Sequence, residues 1–332
     1  MPNIKEIAQK AGVSTSTVSR VLNNSPLISE ETREHIMRII REENYVPNSM
    51  ARGLSNQRTY SVALLVELED RKSFYNPFFY EVMHGIETVV YKHGLSLIIT
   101  SQDKLNDDSR LDWLIQGKRA QGVILPSGLI HPVLIKKLKS QNFPFVVLGE
   151  PEEISEPIDW VDIHNQQGSQ QAVIHLREQG YQNIAFLCGS LKEVFNRNRL
   201  NGYRSLVKGP LEYIIEKGTT KKDGFMMMNK LLMLKEPPDA VICGDNILSL
   251  GALKAVQQAG LRVPQDFGVL SFDNYPIAEL IEPTLTSVDI DVFELGVQAA
   301  KMLLRLIDNP VARGQVSLIS TSIQVRESTK RH

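Results

Sequence analysis

Residues 3–24 read NIKEIAQKAGVSTSTVSRVLNN, and their spacing fits two short helices crossing at a tight turn. Ile4, Ile7, Ala8 and Ala11 fall at i, i+3, i+4 and i+7, one face of a helix, and the small Ala8 leaves room for a second helix to cross closely. Gly12 breaks the pattern, because glycine enters the left-handed conformation that ends a helix without steric cost. Ser14 then stands as N-cap of a second helix starting at Thr15. Val18, Val21 and Leu22 turn inward from it, which leaves Thr15, Ser16, Ser19 and Arg20 facing outward near its start. That is the profile of a recognition helix.

Working outward, Ser29 caps a third helix whose Ile36, Ile39 and Ile40 close a miniature core, with Tyr45 completing it. Pro47 and Asn48 stop one segment and start another, the candidate helix Ser49–Ser55. Isolated helices below roughly 12 to 15 residues are marginal, and Gly53 weakens this one by about another 0.5–1 kcal/mol, so it folds only in company.

The segments AGVSTSTVSRVLNN, SEETREHI and NYVPNSMARGL, arriving in this order, resemble the DNA-binding headpiece of the lactose-repressor (LacI/GalR-type) family. The resemblance is continuous from Asn3 to Leu54 and recurs in weaker segments as far as Ser328. It implies DNA contacts from Thr15, Ser16, Thr17, Arg20 and Asn23 in the headpiece and from Arg52 and Leu54 in a hinge helix. Arg20 suits a bidentate contact to guanine, worth about 1–3 kcal/mol of discrimination. Thr15 and Ser16 serve base or phosphate contact equally well. In the family the hinge pairs with its copy from a second subunit and drives a leucine into the minor groove, the place of Leu54. The plainer reading of Leu54 is a linker residue packed on the next domain.

From Ser61 the pattern changes to strand–helix alternation. SVALLV, LSLIIT, GVILP and FVVLG are separated by helical stretches at 78–93, 108–116 and 132–140, followed by WVDI, IAFLC, AVICG and GVLSF with helices at 166–179, 197–207 and 246–259. This describes βαβ units, parallel sheets and two similar lobes, completed by a helix at 291–307 and the strand-like VSLISTSIQV. The fold class is a small all-α helix-turn-helix headpiece plus hinge helix, followed by a two-lobed α/β domain with parallel sheets, which the resemblance to the family implies is like periplasmic sugar-binding proteins, with three crossings between lobes. Residues 1–46 form the headpiece, 47–60 the hinge and linker, and 61–328 the effector-binding and dimerisation domain. Its first lobe takes 61–159 and 291–319, its second 160–288 and 322–328, with crossings near 159–161, 288–291 and 320–322. The stretch from Val207 to Gly224 is shorter than the usual family connection and leaves the cleft wall there open.

Parallel strands deliver their C-terminal loops to one crevice, so ligand groups come from strand ends of both lobes. Asn76 and Phe78, in the NPFF segment, resemble the family's first-lobe cleft residues. The alternative for both phenylalanines is the packed start of the helix that follows, which suits Phe79 as well as the cleft does, whereas Phe78 is assigned to the cleft. Arg199 in NRNRLNGY matches the family's effector-binding arginine, with Arg197 as rival, and Asp273 in SFDN matches its effector-contacting aspartate, the alternative being a helix cap before Pro276. Asp245 and Asn246 reverse the family's usual Asn-Asp order, so either one faces the cleft. Asp162 and Asn165 read as lobe-crossing structure and helix capping.

The balance of charge excludes a strongly basic nucleic-acid protein: net charge is −1, with eight Lys/Arg against six Asp/Glu in residues 1–60, or +2, and −3 in the remainder. Cys188 and Cys243 lie far apart in apolar segments and read as buried free thiols. No G-x-G-x-x-G follows the first strand, and no P-loop, nucleophile elbow or metal-ligand spacing occurs, so no catalytic residue, cofactor or metal is expected. MPNIKEIAQK has no apolar signal core and no run approaches the roughly 18 apolar residues of a membrane span, so a cytoplasmic protein is expected.

The resulting expectation is a regulator, most simply a repressor, that binds a palindromic double-stranded DNA operator as a homodimer or a tetramer of paired dimers. A small effector, a maltose-type or related sugar, controls it. Co-repression by a purine or phosphosugar, and a sugar-binding protein without regulatory role, are the alternatives.

Overall fold

The computed structural model describes residues 2–22, 25–45, 59–67, 77–102, 109–152, 156–208, 210, 213–310 and 314–331. Asn23, Arg52, Leu54 and Asn76, and the hinge helix as a whole, lie outside the described residues.

The headpiece consists of α1 (Ile4–Lys10), α2 (Thr15–Leu22) and α3 (Glu30–Glu42). Asn3 opens α1 by accepting the Lys5 and Glu6 amides at 2.9 and 3.1 Å, and Glu6 returns a bond to the Asn3 amide. This capping box satisfies donors that a helix start leaves without partners. Gly12 adopts φ +65° at the turn, Ser14 accepts the Thr17 amide at 3.1 Å and Ser29 accepts the Thr32 amide at 3.3 Å. Ile7, Ala8, Ala11, Val18, Val21, Ile36, Ile39 and Ile40 form the buried core, with Tyr45 packed against it.

The remaining chain builds two six-stranded sheets. The first contains β1 (Ser61–Glu67), β2 (Ser96–Gln102), β3 (Val123–Pro126), β4 (Phe145–Leu148), β5 (Trp160–Ile163) and β11 (Val316–Ile319) in the order β11-β5-β4-β3-β1-β2. All its pairings are parallel. The second runs β12-β10-β9-β8-β6-β7, from β6 (Ile184–Cys188), β7 (Ile214–Glu216), β8 (Ala240–Cys243), β9 (Gly268–Phe272), β10 (Thr286–Ile290) and β12 (Thr321–Gln324). Only β12 is antiparallel to its neighbour. Strands such as β6, β8 and β9 are buried along their whole length, as expected of parallel sheets covered on both faces.

Helices cover these sheets: α4 (Pro77–Lys92), α5 (Ser109–Ile115) and α6 (Pro132–Ser140) on the first lobe, and α7 (Asn165–Glu178), α8 (Val194–Leu206), α9 (Lys221–Leu232), α10 (Asn246–Gln258) and the short α11 (Ile277–Leu280) on the second. The final long helix, α12 (Val292–Asp308), returns to the first lobe and packs on α4. Glycines permit that approach. A Cβ on Gly85 would lie 2.1 Å from the Phe293 carbonyl, and one on Gly296 2.2 Å from that of Val82.

The first crossing between lobes differs from the sequence reading. The strand β5, assigned there to the second lobe, belongs to the first sheet, and the chain crosses after it, at His164 and Asn165. The buried Asp159 explains the difference. Its carboxylate accepts Arg305 of α12 at 2.5 Å and the amides of Gly314 and Gln315, which lead into β11. The approach to β5 is thereby tied to the first lobe. Between 207 and 224 the structure adds β7 at the sheet edge, followed by α9, which Thr220 and Asp223 cap reciprocally.

Candidate ligand cleft and nucleic-acid interface

On α2, Thr15, Ser16 and Arg20 are exposed and Thr17 is half-buried. The Ser14 hydroxyl holds those of Ser16 and Thr17 at 2.7 and 2.9 Å, so the first turn presents a cluster of coupled hydroxyls. Glu6 is engaged with Asn3, and Arg20 forms no ion pair with any described residue, which leaves its guanidinium available to an outside partner.

The second lobe places its polar groups where β6, β8 and β9 end. Arg199, on the buried face of α8, is only 5% exposed. Its Nε donates to Asn165 Oδ1 at 2.8 Å, its Nη1 to the Gly244 carbonyl at 2.7 Å, and its Nη2 stands 3.9 Å from Asp273 Oδ1. The guanidinium lies 4.1 Å from the ring centre of Phe272 and 5.2 Å from that of Phe195, close enough for cation–π attraction. Arg197, the rival, turns away and pairs with Glu152 at 2.8 Å.

The Arg199 contact continues back through the crossing. Asn165 donates to Asp162 Oδ2 at 3.4 Å, and that oxygen also accepts the Glu150 amide at 3.0 Å. Glu150 in turn accepts Asn198 of α8 at 2.5 Å. The helix cap at α7 is His164, whose ring accepts the Gln167 amide at 3.4 Å, so Asn165 clasps the arginine rather than capping. Burial pushes the Asp162 carboxyl up, against the opposing pull of the Glu150 and Ile163 amides.

Asp245 and Asn246 divide their roles. Asp245 caps α10 through the Leu248 amide at 2.7 Å, while Asn246 turns into the protein and donates to Ser271 Oγ and the Asp273 carbonyl, both at 2.8 Å. Burial pushes the Asp245 carboxyl up to about 6, and the charge of Asp273 adds to the rise. Asp273 adopts φ +69°, a left-handed conformation that a non-glycine residue holds only where its surroundings impose it. Its carboxyl is also raised by burial, with Arg199 opposing. The first residue before α11 is Pro276, with no side-chain cap, so Asp273 does not cap that helix.

Tyr275 was not singled out from the sequence. Its hydroxyl is pushed above its ordinary range by burial and then by the charge of Asp273, and it also feels Arg199 and Glu81 of α4 in the first lobe. A cleft aromatic two residues beyond a ligand carboxylate was the available signal. Phe78, one residue into α4, is half-buried and packs against the central apolar cluster, as does Phe79. Among the described residues no group of three or more His, Cys, Asp or Glu could hold a metal ion. Both cysteines are free and buried.

The profile for bacterial regulatory proteins of the lacI family matches residues 3–48, and that for a periplasmic binding protein-like domain matches residues 173–329. Catabolite control protein A of Priestia megaterium is 32% identical over 335 residues, 98% of this chain and 99% of that protein. The chain belongs to the lacI family. It is a DNA-binding transcription regulator with a periplasmic-binding-protein-like domain, and not an enzyme. The solved complex of the transcriptional regulator CelR with cellobiose superposes with a TM-score of 0.73 at 30% identity, covering 99% of this chain and 100% of that one. The lac repressor dimer bound to operator and the anti-inducer ONPF shares the fold, with a TM-score of 0.79 at 24% identity over 99% of both chains. Among the described residues no helix is long and apolar enough to cross a membrane.

Proposed function

We propose that this regulator represses carbohydrate-utilisation genes in the cytoplasm, binding a palindromic operator as a homodimer and releasing it when a sugar enters the cleft between its lobes. The observation that carries the reading is the buried Arg199, 3.9 Å from Asp273 and felt by the Asp245 carboxylate, with the fully buried Phe272 packed behind it and Phe195 and Tyr275 beside it. Carboxylates accept hydroxyl donors in pairs and aromatic rings cover the apolar faces of a sugar ring. The relative solved with cellobiose supports a sugar as the class of ligand.

The coupling follows from the chain of contacts through the first crossing. Glu150 and Glu152 follow a first-lobe strand yet bond Asn198 and Arg197 of the second lobe, while Asp162 and Asn165 link the same region to Arg199. A ligand that draws on Arg199 therefore biases the closure of the lobes, and it weakens operator binding by its own preference for the DNA-incompetent arrangement. The homodimer draws support from the first lobe. There β2 is the sheet edge among the described residues, and Tyr80, Tyr91 and Ile99 are exposed beside it at 48%, 74% and 42%, a surface suited to a second copy.

A gel-shift titration tests the DNA half of the reading, using palindromic DNA from the neighbourhood of the gene and a scrambled duplex at one salt concentration. The native chain should prefer the palindrome, and Arg20→Ala should lose most of that preference while keeping its binding to scrambled DNA. Equal affinity of the native chain for both duplexes would leave a sugar-binding protein without regulatory role.

A further inference from the structure

We infer that Asn274, clamped by Arg326 and bonded to Asp289, is the positioning group that passes a ligand's pull on Asp273 to the strands where the chain crosses between the lobes. The inference rests on the reading of the cleft as the effector site and names the residues through which that site acts on the lobes.

Asp273 belongs to a loop that is fixed on both sides. Its carbonyl and that of Phe272 accept the Asn246 amide at 2.8 and 3.2 Å, and its left-handed φ of +69° is a conformation that its surroundings have to impose. Next in the chain, Asn274 is held through its own side chain. Its Oδ1 accepts Arg326 Nη2 at 2.7 Å, and its Nδ2 donates to Asp289 Oδ1 at 2.9 Å. Flipping that amide would set a donor against a cation and an acceptor against a carboxylate, so one orientation is enforced.

Arg326 is itself immobilised. Only 9% of its side chain is exposed, Nη1 donates to the Leu285 carbonyl at 2.8 Å, and Nη2 also reaches Glu279 of α11 at 2.7 Å. Its backbone exchanges bonds with Thr286 of β10: the Arg326 amide donates to the Thr286 hydroxyl at 2.9 Å, and its carbonyl accepts from that hydroxyl at 3.0 Å. The clamp therefore joins the loop after β9, α11, the start of β10 and the segment after β12.

Asp289 is the other end of the relay. It lies on β10 opposite Ser322 of β12, two residues before Asp291, which caps α12 through the Glu294 amide at 2.8 Å. There the chain passes into the first lobe, where α12 packs on α4 and holds Asp159 through Arg305. Two crossings, the one that leaves β10 and the one that enters β12, thus meet beside the residue that Asn274 holds. A ligand that displaces Asp273 moves the adjoining Asn274 through a planar peptide that has little slack. Asp289 must follow, or a charge-assisted hydrogen bond must break. The ligand thereby favours the lobe arrangement in which that bond survives.

The test separates sugar affinity from coupling, by isothermal titration of glucose, galactose, maltose and cellobiose into the full chain, alone and saturated with its palindromic operator, at fixed salt. For the sugar that binds, the native dissociation constants with and without operator should differ by about fivefold or more. Asp289→Ala should bring them within about twofold of each other while the free chain still binds sugar and still prefers the operator to scrambled DNA. Asp289→Asn keeps an acceptor for Asn274 and should restore the native ratio. Asn274→Asp keeps the acceptor for Arg326 but faces Asp289 with a like charge, and should lose the ratio as Asp289→Ala does. A native ratio in both Asp289→Ala and Asn274→Asp, or a lost ratio in Asp289→Asn, would overturn the relay while leaving the sugar reading in place. A native chain that binds none of the four sugars, or binds one equally with and without operator, would overturn the proposed induction and the relay with it.

Discussion

Replacing Asp245 by Asn removes a charge that the fold holds at a cost, and the size of that cost depends on pH in a way that can be worked out. Burial raises the carboxyl from its ordinary 3.8 to about 6, with the Asp273 charge adding to the rise and the Leu248 amide and Arg199 opposing it. The folded value lies above the unfolded one. Below about pH 4 the group is protonated in both states and costs nothing. Between about pH 4 and 6 the unfolded chain releases the proton while the folded chain keeps it, so stability falls as pH rises through this window. Above it the folded state carries the full penalty, about 2 pH units at 1.36 kcal/mol each, or about 3 kcal/mol. Asparagine keeps the neutral shape and is an equally good N-cap for the Leu248 amide. The variant should therefore match the native chain near pH 4 and exceed it by up to about 3 kcal/mol at pH 7.5. Urea unfolding of both full-length proteins across that range, followed by far-UV circular dichroism, measures the difference. A deficit that is constant with pH, or an advantage that grows in acid, would refute the reasoning.

Three further substitutions separate the parts of the molecule. Arg199→Lys strips Asn165 and the Gly244 carbonyl of their donors and should cost about 1–3 kcal/mol in thermal unfolding. It should abolish the response to sugar while the headpiece still binds operator. Ile36→Ala opens a cavity in a headpiece core of eight buried side chains among the described residues, a loss of about 2–5 kcal/mol. Operator binding should disappear in a gel shift while calorimetric sugar binding is retained. Leu54→Ala, in the hinge segment, should weaken binding to the palindrome far more than binding to random DNA, and equal losses would make Leu54 a linker residue.

What could be read in the sequence was what is local. Asn3, Gly12, Ser14 and Ser29 act within four residues of themselves, so the three headpiece helices follow from their spacing. The alternation of α4, α5, α6, α7, α8, α10 and α12 with the strands was legible for the same reason. The first crossing was misplaced because WVDI pairs with β4, Val147 opposite Trp160, and carries β11 on its other side, Val316 opposite Trp160, and nothing in those four residues says which sheet they join. Likewise α9 begins in KKDG, whose lysines hide the apolar face carried by Met227, Met228 and Leu231.

The cleft divides along the same line. Arg199 and Asp273 were found through their resemblance to family positions, and the structure brings them within 3.9 Å. Asn165 was read as a capping residue because a cap is a local role, whereas its partner Arg199 is 34 residues away. The choice between Asp245 and Asn246 needed the neighbouring strand end, where Ser271 and the carbonyls of Phe272 and Asp273 claim the Asn246 amide. Tyr275 needed both lobes, since its surroundings include Glu81 of α4 as well as Asp273.

The most direct test of the account is fluorescence anisotropy of the full chain on its palindromic operator at fixed salt, with and without mono- and oligosaccharides. The account predicts specific binding that one sugar weakens, with the same coupling appearing as weaker binding of that sugar when operator is present. Specific binding that no sugar alters, or that a sugar tightens, would contradict the proposed induction.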